Sequence, residues 1–316
     1  MRCTYIRHLL IAVVFLLCAV GGTQASANDS AEKQIVFLPG RDSHGWGAHS
    51  YAADCKLLAA ILNENVPQTK AVVIENGWPR DLQALKGADA IVIACDGNSL
   101  IGPESNWKAL DAIAGEGVGI VFLHYALDPG DRYGKYLLEW IGGYYKQHWS
   151  VNPFWTARFE TLPEHPITRG VKPFELHDEW YYHMWFREGM EGVTPILTAV
   201  PPDSTRKRPD GPHSGNPTVR SRLGMPEHVA WAYERPGGGR GFGCTGGHTH
   251  WVYAQDDFRK LMLNAICWVA KVDVPPGGVA SPTPSVEQME AHLEGDRPAD
   301  WPPERTREVI EQMNAK

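Results

Sequence analysis

Three short stretches collect the residue types that move protons and hold metal ions: His124 in GIVFLHYAL, His177-Asp178-Glu179 in ELHDEWYYH, and His248 with His250 in GCTGGHTHW. Histidine titrates near neutral pH and is the commonest metal ligand, and a neighbouring carboxylate can ligate or orient the imidazole. These types permit general acid/base chemistry, metal-assisted chemistry, or both. A fourth stretch, Arg41-Asp-Ser-His-Gly-Trp-Gly-Ala-His49, directly follows an apolar run, and in it either His44 or His49 can point inward. Its glycines let backbone approach a ligand closely. It is not a phosphate loop, because it lacks the G-K-[ST] ending and the G-x-G-x-x-G spacing. No tight zinc motif such as H-E-x-x-H is present. On an extended segment His248 and His250 would point to the same face.

The elements that must position these residues are legible as apolar runs. Gln34–Leu38, Ala71–Ile74, Ala90–Ala94 and Gly119–Leu123 read as buried strands, alternating with helical patterns at Tyr51–Asn63, Leu82–Leu85 and Trp107–Ala114. Strands and helices alternating at this spacing imply βαβ units and a mostly parallel sheet, an α/β fold. In an open α/β sheet, ligands bind outside the carboxyl ends of the strands, which is where His124 stands. Downstream, Tyr136–Trp140 reads as helix, Trp155–Phe159 and Pro195–Val200 as strands, His228–Tyr233 with Arg240–Cys244 as a hairpin, and Phe258–Val269 as an amphipathic helix. Residues 201–226 form a long polar loop, either a lid or a disordered insertion.

The rest of the chain narrows the class. Arg2 and Arg7 before the apolar run Leu9–Val20, with Ala25-Ser26-Ala27 after it, make residues 1–27 a secretory signal peptide. The mature protein is expected to be exported, periplasmic or extracellular, with no membrane attachment after cleavage. With 37 acidic against 30 basic residues the chain does not offer a nucleic-acid or anionic-membrane surface. A small-molecule partner fits better. Cys55, Cys95, Cys244 and Cys267 sit in apolar segments without C-x-x-C spacing and read as buried thiols, although an exported protein also permits a bridge. Residues 273–316 are Pro-rich and charged, an appendage in which 286–293 and 304–314 can be helical.

In order, IVFLPGRDSHGWGAHS, VGIVFLHYAL, LLEWIGGYYKQH, HP at His165-Pro166, HDEWYY, HVAWAYERPGGGRGFGCTGGHTHW and the FRKLMLNAICWVA helix resemble the ThuA-like (trehalose utilisation) family, over about residues 33–272. The resemblance implies one domain, 28–272, with a flavodoxin-like three-layer sandwich of the class I glutamine amidotransferase type. It also implies an active site at a strand-to-helix elbow. Amidotransferases carry a cysteine there; this chain carries His124, and Cys95 ends the preceding strand, so glutamine hydrolysis is excluded. The family's association with disaccharide catabolism, beside dehydrogenases that make 3-keto sugars, implies a keto-glycoside or related carbohydrate as substrate.

Cleaving such a compound needs a base for the hydrogen next to the ketone, an acid for the departing oxygen, and a metal or cation for the enolate oxygen. His124 is the expected acid/base, Glu179 the second acid/base or a ligand, and Asp178 the carboxylate that orients a histidine. A divalent metal, zinc or another transition ion, would take His44, His124 and His248. Trp46, His49, His177, Trp180 and Trp251 are the expected substrate contacts, because aromatic faces stack on sugar rings. Core packing is the competing account of the twelve tryptophans. Two other classes remain open: a non-catalytic carbohydrate-binding protein, and a metal-dependent hydrolase of another bond.

Overall fold

Central parallel strands are buried on both faces and so consist of uninterrupted apolar residues. A computed structural model of the chain shows this arrangement; it describes Met1 and residues 32–75 and 77–315. The expected leader, residues 1–27, lies outside the described residues apart from Met1.

In chain order the elements are β1 (Lys33–Pro39), α1 (Tyr51–Asn65), β2 (Thr69–Val73), β3 (Ala90–Ala94), α2 (Glu104–Gly115), β4 (Gly119–Leu123), α3 (Gly134–Trp140), β5 (Gly143–Tyr144), β6 (Phe154–Phe159), β7 (Phe174–Glu179), β8 (Trp185–Phe186), β9 (Val193–Ala199), α4 (Asp203–Arg206), α5 (Pro217–Arg220), β10 (Glu227–Glu234), β11 (Arg240–Cys244), α6 (Asp256–Val269), α7 (Val286–Glu290) and α8 (Arg305–Asn314). The main sheet runs β2-β1-β3-β4-β11-β10-β9. Its first five strands are parallel, and β10 and β9 are antiparallel to their neighbours. Relabelled by position, the parallel part has the order 2-1-3-4-5, that of flavodoxin-like sheets.

Alternation along each strand divides the core into two layers. Ile35, Phe37, Val92, Val121 and Leu123 face α1 and α6, whereas Val36, Leu38, Ile91, Ile93, Ile120 and Phe122 face α2 and α3. Helices on both faces of one mostly parallel sheet make the α/β three-layer sandwich. Full burial of each such side chain contributes roughly 1.5–3 kcal/mol, so β3 and β4, buried at every position, anchor the loops at their carboxyl ends.

A separate antiparallel hairpin, β6–β7, pairs Phe154 with Glu179 and Thr156 with His177. Trp155, Ala157 and Phe159 point into the core, and Phe154, Thr156 and Arg158 point away. Residues 201–226 are ordered. Arg206 is buried against Glu227, Asn216 Nδ2 donates to the Trp149 carbonyl, and the His148 amide donates to the Pro212 carbonyl. The C-terminal segment lies against the domain: Met289 and Thr306 are fully buried, and Trp301 stacks on Trp251 with ring centroids 4.8 Å apart. Cys55, Cys95, Cys244 and Cys267, the cysteines among the described residues, are buried free thiols.

Candidate functional site

Five chain segments converge beyond the carboxyl ends of the parallel strands. After β4 the backbone turns sharply at His124, which has φ of 49° and opens a 3-10 turn through Leu127. A non-glycine residue in this left-handed region costs about 1–3 kcal/mol and persists only where its surroundings fix it, a condition met most often at functional sites. The loop after β1 ends in the same way at His49, with φ of 46°. It is pinned by a bridge between Ala48 and Thr249 and by the His49 amide donating to the His248 carbonyl at 2.8 Å. Gly47 makes this possible, since its φ is 78° and a Cβ there would fall 2.7 Å from the Trp251 ring.

His49, His124, His248 and Glu179 bring four donor atoms together. His49 Nε2 lies 3.1 Å from His124 Nε2 and 3.0 Å from His248 Nδ1. Glu179 Oε2 lies 2.9 Å from His248 Nδ1 and 3.5 Å from His124 Nε2. All four atoms fall within 4.8 Å of one another. Donors bound at about 2.0–2.2 Å to one transition-metal ion stand roughly 3–3.5 Å from their neighbours, and three imidazoles with a carboxylate suit such an ion.

The far side of each group is held. His49 Nδ1 faces Asp96 Oδ1 at 2.8 Å, His124 Nδ1 faces the Thr245 carbonyl at 2.8 Å, and Asn152 Nδ2 donates to Glu179 Oε1 at 3.0 Å. A carbonyl only accepts, so His124 carries its proton on Nδ1; the Asp96 carboxylate assigns the proton of His49 likewise. Both Nε2 lone pairs therefore point at the same small volume, an arrangement suited to a metal ion or a shared proton between them, with the Tyr181 hydroxyl and His248 Nδ1 as the neighbouring groups able to donate. Metal-binding histidines have this outer pattern.

Charge states follow from the surroundings. Burial lowers the His49 pKa to about 4, against the opposing pull of Asp96, so His49 is a neutral imidazole at neutral pH. For Glu179 burial acts to raise the pKa, but the imidazoles of His124 and His248 beside its carboxylate outweigh it and hold the carboxyl at about 2. Asp96 is held well below the usual carboxylate range: burial opposes this, but His49, Ser43 and Tyr51 prevail, with the Tyr51 hydroxyl donating at 2.5 Å. Burial keeps Tyr181 a phenol; its hydroxyl lies 3.2 Å from His124 Nε2.

The other expected residues fall around this centre. Asp178 accepts from the amides of Gly247 at 2.5 Å and His248 at 3.2 Å, tying the end of β7 to the loop that carries His248. Gly247 has φ of 113° and admits no other residue without strain. His44 stands exposed at the rim, its ring 3.9 Å from that of His49, and belongs with His49 and Asp96 to a second group. His177 lies on the outer face of the hairpin. Trp180 is fully buried and packs on Phe258 and Phe159. Trp251 is buried between Trp46 and Trp301, and Trp46 is half-buried beside it. The expectation that His248 and His250 share a face does not hold. The strand ends at Cys244, His248 lies in a bend of the loop that follows, the chain enters a 3-10 turn at His250, and His250 meets Asp54 at 2.6 Å instead.

Sequence reasoning passed over Asp96, Tyr181, Asn152, Tyr51 and Thr245. Asp96 had a signal: it stands two residues beyond the end of β3, at the same edge that singled out His124. Thr245 acts through its backbone carbonyl, which no side-chain pattern reports.

A doubly wound α/β sandwich with a histidine-rich polar centre outside its strand ends is the class that fold and site define. The trehalose-utilisation (ThuA) profile matches residues 38–269. The chain belongs to the ThuA family. Its fold is similar to that of a ThuA-like protein from Bacteroides uniformis ATCC 8492, with 16% identity, 80% of this chain and 97% of that one covered, and a TM-score of 0.57. A ThuA-like protein from Parabacteroides merdae ATCC 43184 is similar too, with 16% identity, 84% and 97% covered, and a TM-score of 0.52. No curated protein matches significantly.

Proposed function

We propose that this protein is an exported, metal-assisted enzyme that acts on an oxidised (3-keto) disaccharide or glycoside. The observation that carries the reading is the pair of facing Nε2 lone pairs of His49 and His124, each imidazole fixed by its other nitrogen, with His248 and Glu179 completing the set. The ThuA family membership supports a carbohydrate substrate.

His49, His124, His248 and Glu179 would hold a divalent ion, which when bound supplies positive charge for the oxygen of the keto group. Asp96, the Thr245 carbonyl and Asn152 keep the donors oriented. The Tyr181 phenol presents a proton at the floor of the centre, and His44 at the rim is placed to pass a proton between ligand and solvent. In an elimination, the base takes the proton from the carbon beside the ketone. That electron pair forms the new double bond as the glycosidic carbon–oxygen bond breaks, and the departing oxygen is protonated. Residues 1–27 support export to the periplasm or the outside.

A second reading is favoured by one contact: His248 Nδ1 at 2.9 Å from Glu179 Oε2 is a carboxylate–imidazole pair able to act as acid and base with no metal. Elemental analysis of protein purified without chelator, with thermal unfolding before and after chelation, separates the two. The metal reading expects about one equivalent of transition metal and a fall in Tm on chelation. Metal-free protein with an unchanged Tm and full turnover of a keto-glycoside would replace it by the acid/base pair.

A further inference from the structure

The outer face of the β6–β7 hairpin forms a ramp that begins at the candidate centre. Period-two alternation places Glu179, His177 and Glu175 on one face of β7, opposite Phe154, Thr156 and Arg158 of β6. Glu179 belongs to the centre, and its cross-strand partner Phe154 sets its ring edge against His248, with centroids 4.8 Å apart. Phe154 is nevertheless 49% exposed, a large aromatic side chain left in water beside four converging polar groups. One step outward, about 7 Å along the strand, His177 Nδ1 and Thr156 Oγ1 meet at 3.1 Å. Beyond them Arg158 and Glu175 neutralise each other at 3.0 Å.

This ramp is one wall of a groove of about 750 Å³ whose other wall carries Thr198, Ser204 and Thr205. The volume is within the range of small-molecule sites, roughly 300–1,000 Å³. Its lining pairs an exposed aromatic face with hydroxyl and imidazole groups; Arg158 is neutralised by Glu175, and Glu160, beyond the end of β6, is the one carboxylate among the lining residues, so the stretch beside Phe154 has the chemistry that receives a neutral polyhydroxylated ring. Phe154 lines the groove and also pairs across the strands with Glu179 and packs on His248, so a ligand held at the centre by one ring would lay its next ring on Phe154.

We propose that the groove along β6 and β7 is a subsite for the second sugar ring of a disaccharide, with Phe154 as its stacking platform and Thr156 and His177 as its polar contacts. The inference rests on the carbohydrate reading of the centre, deepening it from glycosides in general to substrates with at least two rings.

Binding distinguishes it from that reading, because the subsite acts without turnover. Metal-loaded protein is titrated calorimetrically with an unoxidised glucose disaccharide and with methyl glucoside, using wild type, Phe154→Ala and Thr156→Val. The expected result is disaccharide binding at least ten-fold tighter than methyl glucoside in wild type. That preference should fall to within about two-fold in Phe154→Ala and partly in Thr156→Val, with methyl glucoside affinity and metal content unchanged. Equal affinity for the two ligands in wild type overturns the subsite, as does a preference that survives Phe154→Ala. Loss of a dimer in light scattering on Phe154→Ala, with no change in sugar preference, also overturns it and assigns the face to a second copy of the chain. A retained preference in a protein that turns over no keto-glycoside keeps the subsite and rejects the catalytic reading alone.

Discussion

His248 and His250 lie two residues apart in one loop, and the fold gives them opposite tasks. His250 is closed: Nδ1 lies 2.6 Å from Asp54 Oδ1 and Nε2 lies 2.8 Å from the Met289 carbonyl, all of them buried. Both partners accept, so the pair shares one proton and no lone pair is left over. It joins α1 to the C-terminal segment. His248 instead turns Nδ1 towards another imidazole nitrogen and a carboxylate, in a place that reaches solvent. Burial alone does not separate the two kinds of histidine, since His49 and His124 in the centre are as buried as His250. What separates them is whether each ring nitrogen finds a complementary partner inside the chain.

Removing one member from each region tests this most severely. His49→Ala and His124→Ala are expected to lose bound metal and to lower turnover of a keto-glycoside on the order of a thousand-fold, about 4 kcal/mol, with a smaller change in the Tm of chelated protein. His250→Ala should behave in reverse: it leaves Asp54 buried without its partner, which costs about 3–5 kcal/mol, while metal content stays near one equivalent. Elemental analysis and thermal unfolding of the three variants check both halves. Equal metal loss in His250→Ala would show that the two histidines are not functionally distinct.

The same contrast divides the buried carboxylates, and acid sharpens it. Glu227 anchors the 201–226 loop, accepting from Arg206 and Arg222, each at 2.9 Å. Burial acts to raise its pKa, but His183, Arg222 and Arg206 hold it at about 2. A carboxyl depressed from about 4.5 to about 2 contributes stability that is complete above pH 4.5 and disappears as pH falls through 2. By linkage the contribution is roughly 3 kcal/mol. Urea unfolding between pH 5 and 2 should show a loss of that order in wild type. Glu227→Gln should start less stable at pH 5 and lose less over the window; an unchanged pH slope would show that Glu227 is not the group that titrates.

The sheet could be read from sequence because central parallel strands are continuous apolar runs, and the carboxyl-edge rule then picked out His124. Where the sequence could not decide, the missing information is long-range. His44 and His49 were equivalent as neighbours in one glycine-rich loop; the Ala48–Thr249 bridge, some 200 residues apart in sequence, turns His49 inward and leaves His44 at the rim. Trp180 has polar neighbours in sequence yet is fully buried, because Gly246 leaves room for its ring: a Cβ there would sit 2.5 Å away. The C-terminal segment shows little local pattern, since its anchors are contacts such as His250 with Met289 and Trp251 with Trp301.

Asp96 gives the finest test, because it touches the centre only through His49. Its carboxylate accepts a hydrogen bond from Nδ1–H of His49 and is itself held by Tyr51 and Ser43. Asp96→Asn keeps the size and one acceptor oxygen but removes the negative charge that makes Nε2 a stronger donor. Outer partners of this kind typically alter metal affinity by 10–100-fold. The variant should retain its fold and its full complement at saturating metal, while its metal Kd, measured by competition with a chromophoric chelator, weakens by about that factor. An unchanged Kd would place the Asp96–His49 pair with Asp54–His250, as a scaffold contact, and leave His124, His248 and Glu179 to define the centre without it.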